Sequence, residues 1–198
     1  DSAADLLRQM GWKVDARDRR SREKLLHDLK DADGLIVRSN TQVDAELLAS
    51  APQLKVIARA GTGVENIDVG AASARGILII NAPGANSVSV AEHTCALMLA
   101  SGRSIARADT AMKQGQWTKK ELVGIELRGK NLGLVGLGRV GQEVAFRGRV
   151  FGMHVVAHDP YISEQLARSL DVELLTLDEL CVQSDFVSLH LPLTATTR

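Results

Sequence analysis

Asn131-Leu132-Gly133-Leu134-Val135-Gly136-Leu137-Gly138-Arg139-Val140-Gly141 is the stretch whose reading decides the fold. An aliphatic strand runs into GxGxxG, and a helical pattern follows. The three glycines meet different steric demands. Gly136 permits a tight turn, Gly138 lets backbone approach a pyrophosphate, and Gly141 allows a helix to pack closely on a strand. Backbone amides at the helix start then suit phosphate oxygens. A second strand, Met153 to His158, ends in His158-Asp159-Pro160. Asp159 therefore stands about 20 residues beyond the glycines, where an acidic side chain accepts hydrogen bonds from a ribose diol. Its charge repels a 2′-phosphate and no Arg occupies the next few positions, so NAD is expected rather than NADP. The competing reading is a plain glycine turn with Asp159 as a solvated loop carboxylate. Within the helix that follows, Gly148 breaks a local rule, since glycine costs about 1 kcal/mol there relative to alanine.

Working outward, aliphatic runs of strand length recur at 34–37, 55–60, 76–80, 131–135, 153–158 and 185–191. None alternates polar with apolar, which predicts strands covered on both faces, as in parallel sheets. Helix-like stretches lie between them, such as 21–30, where Leu25, Leu26 and Leu29 form one stripe. The alternation predicts a parallel α/β architecture with right-handed crossovers. Ser89-Val90-Ala91-Glu92 and Thr176-Leu177-Asp178-Glu179 match the capping box, so helices are expected to begin at both. Before the first, Asn81-Ala82-Pro83-Gly84-Ala85-Asn86 is the densest cluster of turn formers, and the domain boundary is placed there, giving 1–84 and 85–198.

Across 198 residues, Lys+Arg 24 cancels Asp+Glu 24. A balanced chain without a block of like charge argues against nucleic acid or an anionic membrane as partner. The longest aliphatic runs fall far below the roughly 20 apolar residues that span a bilayer. The opening Asp1-Ser2-Ala3-Ala4-Asp5 lacks the basic and apolar regions of a secretory signal. Cys95 and Cys181 show neither metal nor disulfide spacing, which fits a reducing, cytoplasmic setting without a bound metal.

A second candidate site is Val56 to Asp68, a strand whose carboxyl end enters the glycine-containing loop Gly61-Thr62-Gly63. Open α/β sheets bind ligands at such ends. Amides around Thr62 and Gly63 suit a carboxylate, and Arg59 suits a bidentate contact to an anion. Spacing alone fits Arg59 equally well as a surface salt-bridge partner. Among the histidines, His27, His93 and His154 read as surface or packing residues, whereas His158 and His190 lie at strand ends facing the expected cofactor crevice. Glu92 and Asp185 read as cap or turn carboxylates. No Ser/His/Asp triad, zinc spacing or P-loop is present.

Taken together, Val37-Arg38-Ser39, the Arg59 to Asp68 stretch, Asn81-Ala82-Pro83, Ala91-Glu92-His93, Gly136 to Gly141, Phe151-Gly152-Met153 and His158-Asp159-Pro160 resemble the D-isomer-specific 2-hydroxyacid dehydrogenases over practically the whole chain. The resemblance implies a flavodoxin-like substrate domain followed by a Rossmann domain, with the first strand preceding Asp1. It implies that Arg139 and Val140 lie on the cofactor pyrophosphate, Asp159 on the ribose, and Ala82 and Leu191 beside the cofactor through main chain. Arg59, Thr62 and Gly63 are implied to face the substrate. The family's catalytic Arg, its acidic partner and the acid/base His are expected beyond Arg198, so no catalytic residue is assigned here. The implied activity is NAD-dependent oxidation of 3-phospho-D-glycerate in serine biosynthesis, by a homo-oligomer that uses the 89–100 helix. Alternatives are glyoxylate/hydroxypyruvate reduction or a D-lactate-type reaction, since only Arg38, Arg59, Lys119 and Lys120 speak to the substrate. An NAD-sensing transcriptional corepressor on the same scaffold is the alternative from another class.

Overall fold

The structure, a computed structural model, describes residues 2–17 and 20–198. Asp1, with which the segment weighed as a leader opens, lies outside the described residues. The chain divides into two compact units, 1–83 and 84–198.

In the first unit the order is α1 (Ser2–Gln9), α2 (Arg22–Asp28), β1 (Gly34–Val37), α3 (Ala45–Ser50), β2 (Val56–Arg59), α4 (Val69–Ala74) and β3 (Leu78–Asn81). The strands form a parallel sheet in the order β1-β2-β3. Its short helices begin where a side chain satisfies a free amide. Ser21 Oγ accepts from Lys24 N at 3.3 Å, Asp44 from Leu47 N at 3.0 Å, and Asp68 from Ala71 N at 2.9 Å. Each such cap is worth about 1 kcal/mol. Leu29 is buried and Leu25 and Leu26 pack against the same cluster, with Leu47, Leu48, Ile57 and Ala72 at its centre.

The second unit runs α5 (Ser87–Gly102), α6 (Ile105–Lys113), a 3-10 turn (Lys119–Glu121), β4 (Asn131–Val135), α7 (Arg139–Val150), β5 (His154–His158), α8 (Glu164–Ser169), β6 (Glu173–Leu174), α9 (Leu177–Gln183) and β7 (Phe186–Leu189). Its sheet is parallel in the order β6-β5-β4-β7. From β4 the chain builds outward one way and then crosses to β7 on the other side. That places a topological switch point between β4 and β7, at whose carboxyl end such sheets bind ligands. The parallel α/β architecture expected from the alternation of runs is thus present in both units, which are flavodoxin-like and Rossmann-like in turn.

Three expectations change. The 89–92 capping box does not open a helix: α5 begins three residues earlier, with Asn86 rather than Ser89 at the cap position, so Ser89 and Glu92 sit within it. The Gly84 turn, with φ of +84° and its carbonyl taking Ser87 N at 3.0 Å, already turns the chain into the helix. Coverage on both faces holds for β4 and β5 but fails in the first sheet, where Ile36 is 58% and Ile80 48% exposed. These two share a row with Ala58, on the face opposite the cluster that includes Leu35, Ile57 and Ile79. The two-residue β6 is unanticipated, because no aliphatic run marks it. By contrast the Thr176 capping box forms in full, Thr176 Oγ1 taking Glu179 N at 3.3 Å and Glu179 Oε2 taking Thr176 N at 3.0 Å. Gly148 is explained as well: a Cβ there would come within 2.8 Å of Leu132 Cδ2, so glycine is what lets α7 lie on β4.

Candidate functional site

The glycine loop of the second unit sits at the carboxyl end of β4, inside the switch point. Gly136 has φ of +99°, and a Cβ on it would overlap the His190 carbonyl at the end of β7. A non-glycine residue would meet both strain and collision. A Cβ on Gly141 would overlap the Gly136 carbonyl, so the first turn of α7 is packed directly on the loop. Gly138 differs, since a Cβ on it would meet nothing within 4 Å. Its exposed face is open space in front of a helix N-terminus. Among the described residues the Gly138, Arg139 and Val140 amides donate to no protein acceptor, whereas Gln142 N returns to Gly138 O at 2.9 Å as the first helical bond. Free donors and a positive dipole end make this a site for an anion. The Val140 side chain turns into the core, leaving its amide to the loop.

Asp159 is built into the same loop. Its Oδ2 accepts Leu137 N at 2.8 Å and its Oδ1 accepts Tyr161 N at 2.9 Å. The carboxylate is thereby fixed at the end of β5, half-buried, with a lone pair on each oxygen still available. No ion pair occupies it among the described residues. Gly136 N donates to His158 O at 2.9 Å and His190 N to Val135 O at 2.8 Å, so both neighbouring strand ends hold the turn in place. Leu191 packs beside Gly136 and against the Val135, Val156 and Leu180 cluster. Gly136, Gly138, Arg139, Val140, Gly141, Asp159 and Leu191 therefore converge.

The two strand-end histidines are otherwise engaged. His158 Nδ1 lies 3.0 Å from Leu175 O, and His190 Nε2 lies 2.9 Å from Ser188 Oγ. Burial of His190 pushes its pKa below the usual histidine value, which favours the neutral ring. Asp185, read as a turn carboxylate, accepts Asn131 N at 2.8 Å and faces Lys130 Nζ at 3.2 Å. The backbone bond first and Lys130 second hold its pKa below the carboxylate norm.

In the first unit, Arg59 ends β2 on the same face as buried Ile57, and its Nε is buried without a hydrogen-bond partner. Its guanidinium lies over Gly61, filling the space a Cβ would need. Among the described residues it forms no ion pair. The loop beyond it is tied to the end of β3: Asn81 Nδ2 donates to Thr62 O at 2.7 Å and Ala82 N to Gly61 O at 2.9 Å. Thr62 Oγ1 lies 3.5 Å from Ala82 O. Gly63 and Val64 amides donate to no acceptor among the described residues. Arg59, Thr62, Gly63 and Ala82 thus form one cluster. Of the other cations, Arg38 follows β1, whereas Lys119 and Lys120 lie in the 3-10 turn of the second unit.

Sequence reasoning passes over Asn66 and Glu65. Asn66 is buried and its Nδ2 donates to Arg38 O at 3.0 Å and Thr41 O at 2.6 Å, holding the β1 exit against the glycine loop. A buried amide between two loops leaves no periodic signal. Glu65 places its carboxylate over Gly63, where a Cβ would otherwise project.

The family description that matches residues 1–197 is "D-isomer specific 2-hydroxyacid dehydrogenase, catalytic domain". D-3-phosphoglycerate dehydrogenase of Methanocaldococcus jannaschii is 48% identical over 199 aligned residues, covering 100% of this chain and 38% of that protein. The chain thus spans less than half the length of that curated relative. Among solved structures, the TT0316 protein from Thermus thermophilus superposes with a TM-score of 0.90 at 38% identity, covering 100% of this chain and 63% of that one. D-lactate dehydrogenase from Aquifex aeolicus, complexed with NAD and lactic acid, superposes at 0.79 and 34% identity, covering 87% and 52% respectively. With an open-faced glycine loop, a ribose-type carboxylate and a glycine-lined arginine at the ends of two parallel sheets, the chain belongs to the D-isomer-specific 2-hydroxyacid dehydrogenase family.

Proposed function

We propose that this protein oxidises 3-phospho-D-glycerate to 3-phosphohydroxypyruvate with NAD as hydride acceptor. The observation that carries the cofactor is Asp159, fixed by two backbone amides beside a loop whose Gly138 face is open. In that role the Gly138, Arg139 and Val140 amides take the pyrophosphate and Asp159 takes the adenosine ribose, while the main chain at Ala82 and Leu191 borders the cofactor. NAD, when bound, supplies the hydride-accepting ring. Arg59 and the Thr62–Gly63 backbone orient the substrate's anionic end. The first unit serves as substrate domain and the second as nucleotide domain. The choice of substrate is supported by the name carried by the Methanocaldococcus jannaschii relative.

Neither strand-end histidine is poised as the acid/base of the oxidation. His158 faces a backbone carbonyl and His190 a serine hydroxyl rather than a carboxylate. The 198-residue chain alone is therefore expected to give no NADH formation from 3-phosphoglycerate, monitored at 340 nm, while the full-length gene product turns over. Turnover by the 198 residues that His190→Ala abolishes would sink the assignment of chemistry elsewhere. Failure of the full-length product on 3-phosphoglycerate, with turnover of D-lactate or glyoxylate, would redirect the substrate.

The free thiols Cys95 and Cys181 support a reducing, cytoplasmic setting. The 89–100 helix supports a homodimer: α5 buries Ala91, Cys95 and Met98 yet leaves Leu97 58% exposed, and the α7 helix packed on it exposes Phe146 and Val150. Apolar exposure on two helices packed together supports an interaction surface here. Sedimentation at micromolar concentration is expected to give twice the chain mass, and Leu97→Asp with Phe146→Asp the single mass. A monomeric parent would contradict the dimer.

A further inference from the structure

The two glycines of the Arg59 loop each leave a seat on the backbone, and the two are filled by opposite charges. Arg59 lies over Gly61. Over Gly63 lie both oxygens and the carbon of the Glu65 carboxyl group, all within the space of a missing Cβ. Glu65 is an exposed residue whose chain is long enough to extend fully into water. It lies down on the loop instead, without a hydrogen bond or ion pair among the described residues. Beside it the Gly63 and Val64 amides are unused, and Arg59 has no charged partner. Successive free amides next to an unpaired guanidinium are what a carboxylate ligand needs. A carboxylate belonging to the protein already occupies the spot.

We propose that Glu65 gates this seat: its carboxylate stands on Gly63 in place of the substrate's carboxylate and must swing away before that group can settle on Arg59 and the loop amides. The proposal rests on the Arg59 loop being the substrate's anion site. Its consequence is selectivity, because a neutral ligand gains nothing from Arg59 to offset displacing Glu65, whereas an anion does. The carboxylate also repels any anion that binds while it remains, at a cost set by one charge facing another across a few ångströms of solvent.

Steady-state kinetics of the full-length gene product test this. Glu65→Gln keeps the shape without the charge, and Glu65→Ala empties the seat. KM for the 2-hydroxy acid is expected to fall about 3- to 10-fold in both, the size of a single screened charge interaction, with the change in KM rather than kcat. An unchanged or raised KM in both variants, at unaltered melting temperature, overturns the gate. Arg59→Ala, measured alongside, separates the two ways of failing. If it raises KM while neither Glu65 variant lowers it, the anion site stands and the gate falls. If Arg59→Ala leaves KM unchanged, both fall together.

Discussion

Asp159→Ala is expected to weaken NAD binding by about 10- to 100-fold and to narrow its advantage over NADP. A ribose diol donating to a carboxylate makes charge-assisted hydrogen bonds worth about 1.5–3 kcal/mol, and each 1.4 kcal/mol is tenfold in affinity. The structure adds a second loss. Asp159 Oδ2 also holds Leu137 N at 2.8 Å, and Leu137 is fully buried. Alanine leaves that amide orphaned and loosens the turn that presents the unused Gly138, Arg139 and Val140 amides. Asp159→Asn separates the two effects, because one carbonyl oxygen can keep the Leu137 bond while the charge that repels a 2′-phosphate is gone. NADP should then gain on NAD with less damage to stability than in the alanine variant. Calorimetric titration of both cofactors checks this, with melting curves run in parallel. Equal affinity of the parent for NAD and NADP would defeat the role given to Asp159.

How much of this is legible in the residues depends on what kind of signal each feature leaves. The glycine loop is, because three glycines at fixed spacing answer three separate steric demands, and the collisions a Cβ would cause at Gly136 and Gly141 are those demands seen from the other side. Gly148 is visible only as a broken helix rule; its cause, Leu132 on the neighbouring strand, lies outside any local window. The start of α5 escapes a local reading because Ser89 and Glu92 satisfy a four-residue pattern that the Gly84 turn pre-empts. Coverage of the first sheet is overstated by its sequence, since an unbroken aliphatic run gives the same signal whether one face or both are packed. Asn66 and Glu65 are silent for a different reason. Their roles arise from backbone carbonyls and from the empty side of a glycine, and neither is written as a pattern of side chains.

Arg59→Ala, the second large effect, should raise the substrate KM by about 10- to 100-fold while the melting temperature of the full-length product moves by less than about 4 °C. Spacing alone leaves Arg59 divided between a ligand contact and a surface salt bridge. Its surroundings favour the first, because the side chain has no ion pair among the described residues and its Nε is buried without a partner. A charge held at a strand end without an internal partner adds little to stability, and removing it relieves an unsatisfied donor. The same charge, presented beside the unused Gly63 and Val64 amides, offers a carboxylate a fork-shaped partner. Binding thus loses a charge-assisted contact worth about 1.5–3 kcal/mol while folding loses almost nothing. Arg59→Lys should fall between, since an ammonium keeps the charge and gives up the bidentate geometry. A fall of many degrees in melting temperature at unchanged KM would return Arg59 to the fold.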